Sequence, residues 1–122
     1  MLHIIIYKNM SKKVITDFEN RHQFKDFIKK HKGTFILKFT ADWCVPCKRV
    51  KETVYSLYNQ TNSNILMADL DIDKQNNRDV YSFEKVRAIP TFICYVNGEK
   101  RDVLMDSNLE EVKLFFQRCS SY

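Results

Sequence analysis

Two cysteines, Cys44 and Cys47, lie three positions apart in the segment DWCVPCK. Thiols at this spacing can interconvert between a dithiol and a disulfide. Three other roles compete with that one. Zinc sites also use this spacing but need about four ligands, a structural disulfide across so short a loop contributes little stability, and a cysteine protease needs a histidine placed against its nucleophile.

The rest of the chain favours reactive thiols. Cys94 and Cys119, the other cysteines, form no second CxxC pair, and all three histidines precede the motif without ligand spacing, so no metal is expected. A thiolate at the start of a helix is stabilised by the unpaired N–H groups of the first turn. We therefore predict that Cys44 is the attacking thiol and that Cys47, one turn further along, is the resolving thiol.

The order of strand and helix patterns predicts how this motif is positioned. TFILKFT, immediately before it, is typical of a strand buried on both faces of a parallel sheet. Asn97-Gly98 between two strand-like runs is a strong hairpin signal. The order β-α-β-α-β-α-β-β-α predicts an α/β fold, with a mixed sheet that is mostly parallel, an antiparallel C-terminal hairpin and helices on both faces.

The predicted strands are Val14–Phe18, Thr34–Thr40, Asn64–Ile72, Thr91–Val96 and Lys100–Met105. The predicted helices carry inward stripes at Phe24, Phe27, Ile28 and His31, at Val50, Val54, Leu57 and Tyr58, within Asn77–Lys85, and at Leu109, Val112, Phe116 and Cys119. Asn20 is predicted to cap the first helix, and Ser107 the last, in a capping box with Glu110. Residues 1–13 form an N-terminal extension, either an extra edge strand at HIII or a loose tail, and residues 14–122 form one domain.

Composition and charge exclude several classes of function. The 122 residues are 44% hydrophobic, enough for one domain with its own core. The net charge of +5 comes from basic residues spread along the chain, whereas a nucleic-acid-binding face would concentrate them. No apolar run approaches the ~20 residues of a membrane span or the ~7–15 of a signal peptide core. We expect a cytoplasmic protein without nucleic-acid or membrane partners, since its cysteine usage fits a reducing compartment.

Several segments resemble the thioredoxin family. They are FTADWCVPCK (39–48), Asp71-Ile-Asp73, Ile89-Pro90-Thr91-Phe92 and Asn97-Gly98, and the resemblance extends from about Val14 to Cys119. It implies the thioredoxin fold and a dithiol–disulfide oxidoreductase that reduces protein disulfides through a mixed disulfide, with no bound cofactor. Electrons would come from a thioredoxin reductase or another small thiol donor, and a monomer is expected.

The same resemblance implies the residues that bind substrate. Pro90 matches the family's cis-proline, although only about 5% of X–Pro bonds are cis. The Ile89 backbone would pair with an extended substrate segment as an added strand. The apolar contact surface would consist of Trp43, Val45, Pro46 and Ile89, with Asp42 at its rim.

One departure from the family falls beneath the cysteines. Family members usually bury an aspartate six residues before the first cysteine, where this chain has Lys38. Because an unpaired lysine in a buried strand is costly, we predict a pair with Asp69, which matches the facing family position on the neighbouring strand. Such a cation would favour the Cys47 thiolate by its charge. Alternatively, Lys38 reaches the surface and Asp69 is unrelated.

Further departures concern the substrate side. Val45-Pro46 replaces the Gly-Pro of ordinary thioredoxins, and the loop at 105–107 lacks the family's glycine and is shorter. Lys38 and this loop leave a second hypothesis from another class, a thioredoxin-fold interaction module or assembly subunit with weak or incidental redox activity. A third is an oxidase or isomerase of an oxidising compartment.

Overall fold

A mixed six-stranded sheet forms the centre of the protein in the computed structural model, which describes residues 3–6 and 12–122. Along the chain the elements are β1 (His3–Ile6), β2 (Lys13–Asp17), α1 (Arg21–Lys30), β3 (Thr34–Thr40), α2 (Val45–Asn59), β4 (Leu66–Asp71), α3 (Gln75–Phe83), β5 (Thr91–Val96), β6 (Glu99–Leu104) and α4 (Leu109–Ser121).

The strands lie in the order β1-β2-β4-β3-β5-β6. β2, β4 and β3 are parallel, while β5 and β6 add to β3 as antiparallel neighbours, so the predicted mixed sheet is confirmed. Residues 3–6 pair antiparallel with β2 and form an edge strand, one of the two predicted alternatives. The other residues of the predicted extension up to residue 11 lie outside the described part of the chain.

Helices cover both faces of the sheet, as the sequence predicts. One core layer holds Phe24 of α1 and Val80 of α3, and the other holds residues of α2 and α4. Side chains of β3 alternate between these layers, with Leu37 and Phe39 towards α1 and α3 and Ile36 towards α2 and α4. By the same alternation Lys38 lies on the face covered by α2, the helix that begins just after Cys44.

The predicted hairpin joins β5 and β6 at Asn97 and Gly98. Both residues have positive φ angles, 52° and 84°, as a two-residue turn of the mirror-image type requires. Asn97 also accepts a hydrogen bond from the backbone N–H of Gly33 at 2.8 Å, which attaches the turn to the start of β3. At Gly98 a Cβ atom would lie 2.9 Å from the carbonyl oxygen of Ile28.

The capping prediction for the last helix is wrong by one residue. Asn108, not Ser107, is the N-cap, and its side chain accepts a hydrogen bond from the N–H of Glu111 at 3.0 Å. The Asp106 carboxylate accepts the N–H of Asn108 at 2.9 Å, and this turn ends before the helix begins. Leu109 is consequently 41% exposed rather than inward.

The buried stripe of that helix is Val112, Phe115, Phe116 and Cys119. Several other boundaries also differ from the prediction by one or two residues. β4 begins at Leu66, because Asn64 is exposed in the loop before it, and α3 begins at Gln75, two residues early.

We predict that Gly98→Ala lowers the free energy of unfolding by about 2–4 kcal/mol, because Ala there combines a positive φ with a backbone clash. Gly33→Ala is the matched control, since Gly33 has a φ of 98° but a Cβ would lie 3.6 Å from its nearest neighbour. The control should cost only about 1–2 kcal/mol. Urea unfolding measures both, and equal losses would contradict the clash.

Candidate active site

The two motif cysteines lie where β3 ends and α2 begins, as predicted. Cys44 is the N-cap of α2, and its sulfur accepts the backbone N–H of Cys47 at 3.2 Å. The two sulfurs are joined in a disulfide, with the Cα atoms 5.3 Å apart. Pro46 lies in the first helical turn, where an N–H is not needed. The cysteines therefore close a ring within one turn at the positive end of a helix.

The segment before β5 faces this ring. The Ile89–Pro90 peptide bond is cis, the geometry that the family resemblance implies. The carbonyl oxygen of Ile89 lies 3.8 Å from Cys44 Sγ, and Pro90 is buried. Thr91 donates its hydroxyl to the carbonyl of Ala88 at 2.6 Å, which closes the turn around the proline. The backbone of Ile89 is thereby held next to the outer sulfur.

An apolar surface surrounds Cys44. Trp43 and Val45 are each 64% exposed, and Pro46 and Ile89 are half-buried beside them. The indole N–H of Trp43 donates to the carboxylate of Asp73 at 3.1 Å, so the ring is fixed rather than free. This role of Asp73 was not predicted from the sequence. Its position just after β4, the neighbour of β3, was the available signal.

Beneath the cysteines the predicted ion pair is present. Lys38 Nζ lies 3.0 Å from Asp69 Oδ1, and the two residues are Cα partners in the ladder between β3 and β4. Lys38 is only 1% exposed and Asp69 9% exposed, so the alternative of a lysine that reaches the surface is wrong. A buried pair of opposite charges is tolerated when each charge is compensated and hydrogen-bonded.

Tyr55 is a third member of this cluster and was not predicted from the sequence. Its hydroxyl donates to Asp69 Oδ2 at 2.6 Å, so both carboxylate oxygens accept a hydrogen bond. The predicted stripe of α2 named Leu57, which is only partly buried, instead of Tyr55, which is buried. Tyr55 lies three residues before the buried Tyr58, and this i, i+3 spacing was the signal available.

A small cavity lies between Asp69 of the buried pair and Cys47 of the disulfide. It has a volume of about 120 Å³ and is large enough to hold water. Cys47 and Asp69 both line it, whereas Lys38 and Tyr55 do not. The remaining lining residues are Thr40, Ala41, Asp42, Lys48 and Lys51.

Cys94 and Cys119 are free and buried, and Cys119 belongs to the predicted inward stripe of the last helix. The hydrogen bond between the two thiols, together with burial, raises the pKa of Cys119. In residues 3–6 and 12–122 no group of three or more His, Cys, Asp and Glu residues could hold a metal ion. Among the helices described, none is long and apolar enough to cross a membrane.

A sequence profile of the family described as Thioredoxin matches residues 14–116. The chain belongs to the thioredoxin family. Thioredoxin H4-1 of Oryza sativa subsp. japonica is 34% identical over 110 residues, which cover 89% of this chain and 81% of that relative.

Solved thioredoxins share the fold. The thioredoxin of Malassezia sympodialis has a TM-score of 0.73 at 23% identity, covering 88% of this chain and 91% of that one. Mitochondrial thioredoxin 3 of Saccharomyces cerevisiae has a TM-score of 0.72 at 22% identity, covering 84% and 93%.

Family membership and the Cys44–Cys47 pair together assign the chemistry. The protein is a thioredoxin-like dithiol–disulfide oxidoreductase with a thioredoxin fold. The alternative of an interaction module with incidental redox activity is not favoured, because the chain has the thioredoxin relatives and the closed CxxC pair of a redox protein.

Lys38→Met and Asp69→Asn should each lower the free energy of unfolding by about 3–5 kcal/mol, because each leaves a buried charge without its partner. The double variant should lose about 1–3 kcal/mol less free energy of unfolding than the sum of the two single losses. Urea unfolding of the four proteins at one pH completes this double-mutant cycle. Additive losses would show that the two charges do not stabilise each other.

Proposed function

We propose that this thioredoxin-family protein acts mainly as a reductant of protein disulfides, with Cys44 as the attacking thiol and Cys47 as the resolving thiol. The observation that carries the proposal is the position of Cys44 at the N-cap of α2, where its sulfur already accepts the N–H of Cys47. A thiolate at that site keeps the same hydrogen bond and gains from the positive end of the helix. Cys47, with its side chain deeper under the helix, suits the second step.

The reaction has two exchanges. The Cys44 thiolate attacks a substrate disulfide, forms a mixed disulfide with one substrate sulfur and releases the other as a thiolate, which takes up a proton. The Cys47 thiol then loses its proton and attacks Cys44 Sγ. The Cys44–Cys47 bond forms, the bond to the substrate breaks, and the second substrate thiolate is protonated. Two electrons pass from the protein dithiol to the substrate disulfide.

Substrate binding is proposed for the surface around Cys44. An extended substrate segment would pair with the backbone of Ile89, whose carbonyl lies near the sulfur, while Pro90 holds that backbone in place. Trp43, Val45 and Pro46 would contact apolar side chains beside the substrate cysteine. The hydrogen bond from Trp43 to Asp73 supports this role, because a fixed aromatic surface loses little entropy on binding.

For the second exchange we propose that Asp69 and Lys38 act on Cys47. The Asp69 carboxylate lines the same cavity as Cys47 and can take its proton through water. The Lys38 ammonium keeps the cluster neutral and favours negative charge on the nearby sulfur. Both roles are supported by a buried pair whose lysine lies on the strand leading to the cysteines and whose carboxylate lies on the neighbouring strand.

We further propose a cytoplasmic monomer in which residues 14–122 form the catalytic domain, residues 1–13 are an extension, and a thioredoxin reductase or small thiol donor supplies the electrons. Free cysteines in the core support a reducing compartment. Such a protein carries electrons from the donor to disulfides and serves cell redox homeostasis. Recovery with organelles in cell fractionation, or a dimer in sedimentation, would contradict these details.

Insulin reduction driven by dithiothreitol tests the main proposal. The wild type should accelerate precipitation of the insulin chains, and Cys44→Ser and Cys47→Ser should both fall to the rate of dithiothreitol alone. Cys47→Ser should also trap substrates as stable mixed disulfides on Cys44. The control is Cys94→Ser, since that thiol is buried in the core. An inactive wild type with an intact fold would refute the reductase.

Lys38→Met should slow the release of substrate from the mixed disulfide at neutral pH by about tenfold, as expected if a charge interaction of ~1.4 kcal/mol is lost. Stopped-flow single turnovers measure this step. The matched control exchanges the two charges, Lys38→Asp with Asp69→Lys, and should release substrate faster than Lys38→Met. An unchanged rate in folded Lys38→Met would contradict the charge role.

A further inference from the structure

We propose that Tyr55 is a positioning residue for the second exchange: its hydroxyl holds the Asp69 carboxylate directed towards the cavity that Asp69 shares with Cys47. The inference rests on the proposed function and adds a residue on the same helix as Cys47. Tyr55 does not line the cavity, but its hydroxyl binds Asp69, which does, so it acts through Asp69.

The cluster joins three elements of the fold. Lys38 comes from β3, Asp69 from β4 and Tyr55 from α2. Lys38 donates to Oδ1 of Asp69 at 3.0 Å, and Tyr55 donates to Oδ2 at 2.6 Å. The second bond is as short as a charge-assisted O–H···O⁻ contact, which is the stronger kind.

Two donors on two different oxygens fix the plane of the carboxylate. With Lys38 alone, the group could rotate so that both oxygens face the ammonium. With Tyr55 on the opposite oxygen that rotation breaks a hydrogen bond. Two bonds also leave lone pairs free on both oxygens, and these can accept a proton through the cavity. The tyrosine therefore orients Asp69 without blocking it.

The proton moves as follows in the second exchange. Cys47 S–H gives its proton through cavity water to Asp69. The Cys47 thiolate attacks Cys44 Sγ, the Cys44–Cys47 bond forms, and the substrate sulfur leaves as a thiolate. That thiolate takes up a proton from solvent, and Asp69 returns its proton to solvent through the cavity mouth. No oxidant is needed beyond the substrate disulfide.

The charged and titratable groups around Asp69 come from the elements packed against it. Lys38 and Tyr55 bind it directly, and the side chains around the shared cavity are Asp42, Cys47, Lys48 and Lys51. Asp42, Lys48 and Lys51 are exposed, so solvent screens them. Tyr55 is thus the neutral donor whose removal changes the hydrogen bonding of Asp69 while every nearby charge stays in place.

Tyr55→Phe removes only that hydroxyl. The carboxylate then loses one of the two hydrogen bonds that favour its charged form, so the second exchange should require a higher pH. In single turnovers with a peptide disulfide, the acid limb of the rate of substrate release should move up by about one pH unit. The rate on the alkaline plateau should change little.

Tyr58→Phe is the matched control. Tyr58 is a buried tyrosine on the same helix, and its hydroxyl donates to the backbone carbonyl of Lys13, away from Asp69. Burial raises the pKa of Tyr58 to about 12, so the control also removes a neutral donor. If the proposal is correct, Tyr58→Phe should leave the acid limb unchanged, even if the variant is less stable than the wild type.

A shift in Tyr55→Phe but not in Tyr58→Phe supports the proposal. Equal profiles in the two variants and the wild type would overturn it and leave a structural role alone. If Tyr55→Phe does not fold, 3-fluorotyrosine at position 55 gives a second test, because a more acidic phenol donates more strongly and should move the limb to lower pH. No shift there would equally overturn the proposal. An inactive wild type would instead refute the reductase itself.

Discussion

The whole site depends on one constraint, the placement of β3 in the interior of the sheet. It is hydrogen-bonded to β4 on one side and to β5 on the other, and helices cover both of its faces. Its end therefore has a fixed position, and so do the ends of its neighbours. Cys44 follows β3, Asp73 follows β4, and Pro90 precedes β5, so all three meet at one edge of the sheet. The parallel neighbour β4 and the antiparallel neighbour β5 both place residues at the active site, because β5 begins at the edge where β3 and β4 end.

The same burial explains the ionic cluster. A strand with no face in water cannot hold a lone ammonium, so Lys38 requires a carboxylate within reach, and the ladder provides Asp69 as its direct partner. Tyr55 then satisfies the oxygen that Lys38 leaves. Compared with the family pattern inferred from the sequence, the cation is on the strand that leads to the cysteines and the carboxylate is on its neighbour. The pair is neutral, and its carboxylate reaches the cavity from β4.

Features specified by neighbouring residues could be predicted from the sequence, and features made by packing could not. The Asn97-Gly98 turn and the CxxC helix start are local, and the parallel strands followed from element order. The contacts of Tyr55 and Asp73 depend on where two elements meet, which periodicity does not give. The predicted N-cap of α4 was wrong for a different reason. Ser107 and Asn108 are adjacent residues that both suit an N-cap, and the turn at Asp106 decides between them.

The four cysteines show that position, not residue type, assigns reactivity here. Cys44 and Cys47 are almost as buried as Cys94 and Cys119. However, Cys44 Sγ accepts a backbone N–H at a helix start, a donor that also stabilises a thiolate. Cys119 instead contacts the Cys94 thiol in an apolar core. The hydrogen bond to Cys94 and burial both raise the pKa of Cys119. A thiol there stays protonated and unreactive. The dithiol chemistry is therefore confined to the end of β3, where the fold supplies both the helix end and the cavity that Cys47 shares with Asp69.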